Sequence, residues 1–107
     1  MRQHGVMILE HAPLTVRPGM EDDFERAFAR ASAIIASMPG FHDLTLARCV
    51  ERPNGYLLLV HWESVEHHEV GFRGSLEYQE WKALLHHFYD PFPAVEHFET
   101  VLTAVPR

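Results

Sequence analysis

Two segments of this 107-residue chain, Val6-Met7-Ile8-Leu9 and Leu57-Leu58-Leu59-Val60, are apolar at four consecutive positions. A half-buried strand alternates apolar and polar residues because its side chains alternate faces, so an unbroken apolar run marks a strand covered on both sides. The residues that follow, Glu10-His11 and His61-Trp62, then sit at the margins of a buried sheet. A chain of this size has few helices with which to cover two faces. The second cover is expected to come from another copy of the same chain.

The length suits a single domain, residues 1–107, built on one core. A formal net charge of −6 argues against sequence-independent binding to a phosphate backbone, so nucleic acid is not an expected partner. No run approaches the ~18 apolar residues of a membrane span, and the N-terminal Met-Arg-Gln-His-Gly-Val lacks a stretch of signal-peptide character. A soluble, cytoplasmic protein with no membrane partner is expected. Cys49 cannot form an internal disulfide, being the only cysteine, and within an apolar strand pattern it reads as a small core residue.

Gly5 to Val16 reads as a first strand, ended by Arg17-Pro18-Gly19. Glu21-Asp22-Asp23 then falls in a first helical turn, where acidic groups complement the helix dipole. From Met20, Phe24, Ala27, Phe28, Ala31, Ile34, Ile35 and Met38 recur at spacings of three and four, the stripe of an amphipathic helix that Pro39-Gly40 ends. A second strand spans Phe41 to Glu51, Arg52-Pro53-Asn54-Gly55 turns the chain, and Tyr56 to Glu63 is the third strand. Ser64 caps a short helix through Phe72, Gly74 breaks it, and Ser75 caps a last helix with Tyr78, Trp81, Leu84, Leu85 and Phe88 on one face. After Asp90-Pro91-Phe92-Pro93, Ala94 to Leu102 is the fourth strand.

The order βαββαβ is the split βαβ pattern of a ferredoxin-like α+β fold with an antiparallel four-stranded sheet. Its first and third strands are central, and the two apolar runs fall on them. Right-handed crossovers place both helices on one face, which leaves the other face apolar and uncovered. A homodimer whose sheets pack together follows.

Trp62-Glu63-Ser64 closes the third strand, a short helix bears His68 and Phe72, and Ser75-x-x-Tyr78-x-x-Trp81 opens the last helix. With Val16-x-Pro18-Gly19-x-x-x-x-Phe24 and Met38-Pro39-Gly40-Phe41, this resembles the antibiotic biosynthesis monooxygenase (ABM) family of dimeric α+β barrels over nearly the whole chain. The resemblance implies a cleft in each subunit between sheet and helices. It also implies a small cofactor-independent monooxygenase or quinol-handling enzyme acting on an aromatic molecule, in which the substrate supplies the reducing power. The alternative is a non-catalytic small-molecule-binding or stress-related dimer. In the heme-degrading branch a histidine on the last helix ligates iron and an asparagine sits on the first strand. Here Trp81 holds that histidine position and the first strand has no asparagine, so no cofactor is expected, with heme on His86 or His87 as a third reading.

Several polar residues could carry chemistry. His68 shares a face with Val65 and Phe72 and so points inward, which makes it the leading proton acceptor. His11 and His97 are alternates, since antiparallel pairing brings the end of the first strand near the start of the fourth, with His86-His87 close by. Three imidazoles could bind a metal or relay protons, but adjacent histidines on a helix diverge by about 100°, and no metal site is expected. Trp62 lies on the opposite face from His61 and is expected to line the cleft with Phe72, Tyr78 and Trp81, leaving His61 for the interface. Glu10 would contact substrate and, facing inward, would have a raised pKa and could serve as an alternate base, or it could pair with Arg48 on a neighbouring strand.

Overall fold

Strand parity organises the molecule. In this computed structural model, which describes residues 7–107, four strands form one antiparallel sheet. They are β1 (Ile8–Thr15), β2 (Phe41–Arg48), β3 (Gly55–Trp62) and β4 (Glu96–Glu99), in the spatial order β2-β3-β1-β4. The predicted strand start at Gly5 and the Val6 of the first apolar run lie outside the described residues. β1 and β3 are central, as their apolar runs require, and pair from Ile8 opposite Trp62 to Thr15 opposite Gly55.

Helices α1 (Glu21–Ala36) and α2 (Leu76–Leu85) pack against each other over one face of the sheet. That face buries Ala12, Leu14 and Val16 of the β1 arm and Tyr56, Leu58, Val60 and Trp62 of β3, against Phe24, Phe28, Ala31 and Ile35 of α1. Residues of the other parity, Leu9, His11, Leu57, Leu59 and His61, are only half-buried. The chain therefore covers one face of its apolar strands and leaves the second partly open. The result is the α+β ferredoxin-like fold expected from the element order.

Two strand ends and one residue differ from expectation. β4 is four residues long rather than Ala94 to Leu102. Its register runs from His11 opposite Glu96 to Ile8 opposite Glu99, and Val101 and Leu102 beyond it are exposed. Upstream, Pro91 and Pro93 lack the N–H that a ladder needs. β2 stops at Arg48 because the turn draws in the residues after it, with the Cys49 N–H donating to Gly55 O at 2.7 Å. Cys49 is consequently half-buried at a strand end, not a core residue, and Val50 is exposed.

The junction between α1 and β2 passes through Gly40 at φ 82°, a left-handed conformation where any Cβ would also run into the His67 ring. Beyond β3 the chain forms a wide π-type turn, His67–Phe72, in which the Arg73 N–H reaches back to His68 O at 3.0 Å. Ser64 Oγ accepts from the His67 N–H and Ser75 Oγ from the Tyr78 N–H, so both expected caps form. The wide turn buries His68 and Phe72 together. Such turns recur at functional sites.

Candidate active site

A cavity of about 250 Å³ opens between the helix-covered sheet face and the elements that follow β3. Glu10, Ala12, Leu14 and Leu58 of the central strands form its floor. Phe72, Tyr78 and Trp81 supply an aromatic wall, and Phe92, Pro93 and Val95 border it from the segment that precedes β4. His68, Arg73, His86 and Tyr89 add the polar lining.

Glu10 is the chemical centre. Its strand parity turns it under the helices, where only 5% of it remains exposed. The Trp62 Nε1–H donates to Glu10 Oε1 at 2.9 Å, and His68 Nε2 lies 3.3 Å from the same oxygen. His68 in turn stacks on the Trp62 indole, with ring centroids 5.4 Å apart, and its Nδ1 meets His97 Nε2 at 2.8 Å. Edge strand β4 delivers His97 because its register sets that residue directly opposite Glu10.

Burial sets the charges of this group. It pushes the Glu10 carboxyl above its ordinary range, against the opposing pull of the Trp62 hydrogen bond and the Arg73 guanidinium. It pushes His68 down to about 3, with the positive charge of Arg73 and the neighbouring His97 acting in the same direction. His68 is thus a neutral imidazole at ordinary pH, and its 3.3 Å contact with Glu10 is not a pairing of two charges. Burial likewise raises the Tyr78 and Tyr89 phenols, so both remain protonated donors on the wall.

The sequence-predicted residues divide into three groups. Glu10, His68, Phe72, Tyr78 and Trp81 meet at the cavity, and His97 reaches it through His68. Trp62, expected to line the cleft, instead lies behind its wall with no exposed surface and acts on the cavity through Glu10. His11 is separated from His97 by the sheet itself: it opposes Glu96, faces the open side, and packs edge-on against Phe98 at 5.3 Å. The expected Glu10–Arg48 pair does not form either, because Arg48 binds Glu25 at 3.1 Å on a surface beyond the core. Arg73 and Tyr89 are polar lining residues that sequence reasoning missed. A single arginine after a helix-breaking turn carries no periodic signal.

Among the described residues, no group of three or more His, Cys, Asp or Glu side chains is arranged to hold a metal ion. Of the two histidines considered for heme, His86 lines the cavity, with its ring against Phe92, Tyr78 and Tyr89, while His87 is exposed. A cavity of about 250 Å³ is too small for a heme macrocycle, so these residues do not fit one. No helix among the described residues is long and apolar enough to cross a membrane.

Residues 7–84 match the family model described as antibiotic biosynthesis monooxygenase. The uncharacterized protein YczJ of Bacillus subtilis is 55% identical over 95 residues, which span 89% of this chain and 100% of YczJ. A solved Bordetella bronchiseptica protein that carries the antibiotic biosynthesis monooxygenase name is 41% identical with a TM-score of 0.86, over 90% of this chain and 98% of that one. SnoaB, a cofactor-independent oxygenase from Streptomyces nogalater, is 23% identical with a TM-score of 0.74, over 96% of this chain and 100% of SnoaB. At that identity the likeness to SnoaB is one of fold.

Proposed function

Because the chain belongs to the antibiotic biosynthesis monooxygenase family, we propose that it oxygenates a small aromatic substrate bearing an acidic C–H or O–H, using dioxygen without an organic cofactor or metal. One observation carries this reading. A buried carboxyl, Glu10, stands on the floor of an aromatic-walled cavity, fixed by Trp62 and flanked by His68. Burial strengthens a carboxylate as a base and weakens an imidazole, so the base is assigned to Glu10 rather than His68. The cavity volume suits a substrate of one or two rings.

In this scheme Glu10 removes the acidic proton, and the anion left on the ring is electron-rich enough to reduce dioxygen. For a ring methylene the balance is CH2 plus O2 giving C=O plus H2O, with the substrate supplying every electron. Arg73, a cation on the cavity lining, offsets the negative charge that develops. SnoaB, named as cofactor-independent and sharing the fold, supports chemistry without an added redox group.

Oxygen uptake over a panel of one- and two-ring quinols and aromatics with an activated methylene tests this. Consumption faster than uncatalysed autoxidation is expected for at least one compound, and no acceleration across the panel would defeat the proposal. Tight binding without uptake would favour the non-catalytic reading.

We further propose that the protein is a homodimer closed across the open sheet face, the dimeric α+β barrel of its family. Leu9, Leu57 and Leu59 remain half-buried there. His11 Nδ1 is buried without a hydrogen-bond partner among the described residues, a group that a second copy could satisfy. Sedimentation is expected to give a dimer at micromolar concentration, and Leu59→Glu a monomer. A monomeric wild type would contradict it.

A further inference from the structure

A base on a cavity floor that takes up a proton and later returns it needs a path for that proton, and Glu10 is only 5% exposed. Two polar groups reach its carboxyl, Trp62 through a hydrogen bond and His68 through a close contact. The Trp62 indole is a donor only and cannot pass a proton on. His68 is different: its two ring nitrogens are engaged on opposite sides, Nε2 with Glu10 Oε1 at 3.3 Å and Nδ1 with His97 Nε2 at 2.8 Å. His97 is only half-buried, on the edge strand β4.

We propose that Glu10, His68 and His97 form a proton relay from the cavity floor to solvent at the β4 edge. The relay rests on the oxygenase reading above, which gives Glu10 a proton to pass on and then to recover within each turnover.

Each hop balances. Protonated Glu10 gives its proton to His68 Nε2 while His68 Nδ1–H passes its own to His97 Nε2. His97, briefly an imidazolium, releases the Nδ1 proton to water. One proton leaves the cavity and no electron moves. Arg73, Tyr78 and His86 also face this pocket, and the Arg73 charge disfavours a resident imidazolium at His68. The two transfers through His68 are therefore concerted, so that ring stays neutral throughout. The outward run leaves His68 protonated at Nε2 and bare at Nδ1. An inward run reverses both tautomers, and the water released by the reaction needs a proton of that kind. One turnover of deprotonation followed by water formation thus resets the relay.

The experiment combines kinetics with nitrogen NMR. His97→Phe is expected to lower kcat about tenfold or more with KM unchanged, and added imidazole to restore turnover through the vacated half-open position. His97→Gln keeps a hydrogen bond to His68 yet passes no proton through, and is expected to show the same loss where Phe disturbs β4. In the 15N-labelled wild type, a through-hydrogen-bond coupling is expected between His68 Nδ1 and His97 Nε2. An active wild type with both variants equally active would overturn the relay and leave the oxygenase reading standing. An inactive wild type would count against the oxygenase reading instead. Absence of the coupling would overturn the relay whatever the activity.

Discussion

Glu10→Gln is expected to lower kcat by about 10²–10⁴-fold, the range supplied by a positioned general base, with little change in KM. Glutamine has the shape of glutamate, and its amide oxygen still accepts the Trp62 Nε1–H, so the cavity and its aromatic wall persist. What disappears is the basic site. The wild-type rate is expected to rise with pH through the raised Glu10 pKa, since only the ionised carboxylate accepts a proton, and the variant to lose that limb. Stability moves in the opposite sense. A carboxyl whose folded pKa is raised adds stability below its unfolded pKa, and that contribution is lost as pH rises through the folded value. Glu10→Gln removes this loss, so the variant is expected to be as stable as wild type or more so at neutral pH. Measuring rate and unfolding on the same samples separates a missing base from a damaged fold.

Trp62→Ala is expected to destabilise the protein by about 3–5 kcal/mol, read from denaturant unfolding at fixed protein concentration. Trp62 has no exposed surface and packs against Phe41, Phe72 and the His68 ring. Its removal leaves a cavity and also strips Glu10 of its hydrogen-bond donor. An unpaired buried carboxyl is costly, which places the loss toward the upper part of that range. Trp62→Phe retains most of the volume and loses the N–H alone. It is expected to be milder in stability while still raising the Glu10 pKa further, because the hydrogen bond that lowers it is gone.

The parts of this molecule legible in the sequence are those governed by periodicity. The runs at residues 6–9 and 57–60 identified the central strands, and the two-residue period of a strand separated Trp62 from His61 onto opposite faces, with Trp62 under the helices. The spacing of His68 and Phe72 turned both inward, which holds even though the turn carrying them is wider than an α-helix. What could not be read depends on register across long separations. His97 was paired with His11 by strand order, yet a shift of one residue decides which face a side chain takes, and the actual register sets His97 opposite Glu10. A four-residue β4 offers no alternation from which that register could be inferred. Trp62 shows a different gap: parity gives its face but not its depth, so a residue expected on the cavity wall supports that wall from behind. Arg73 belongs to no pattern and became visible only through the side chains it adjoins.

The central claim is that Glu10 is a tuned base at the floor of a ligand cavity, and its direct measurement is the carbon-13 NMR titration of the Glu10 side-chain carboxyl, with and without an aromatic substrate analogue. A midpoint above the ordinary 4.5, moved by the analogue, is the predicted result. A midpoint at or below 4.5 that no aromatic ligand shifts would contradict it.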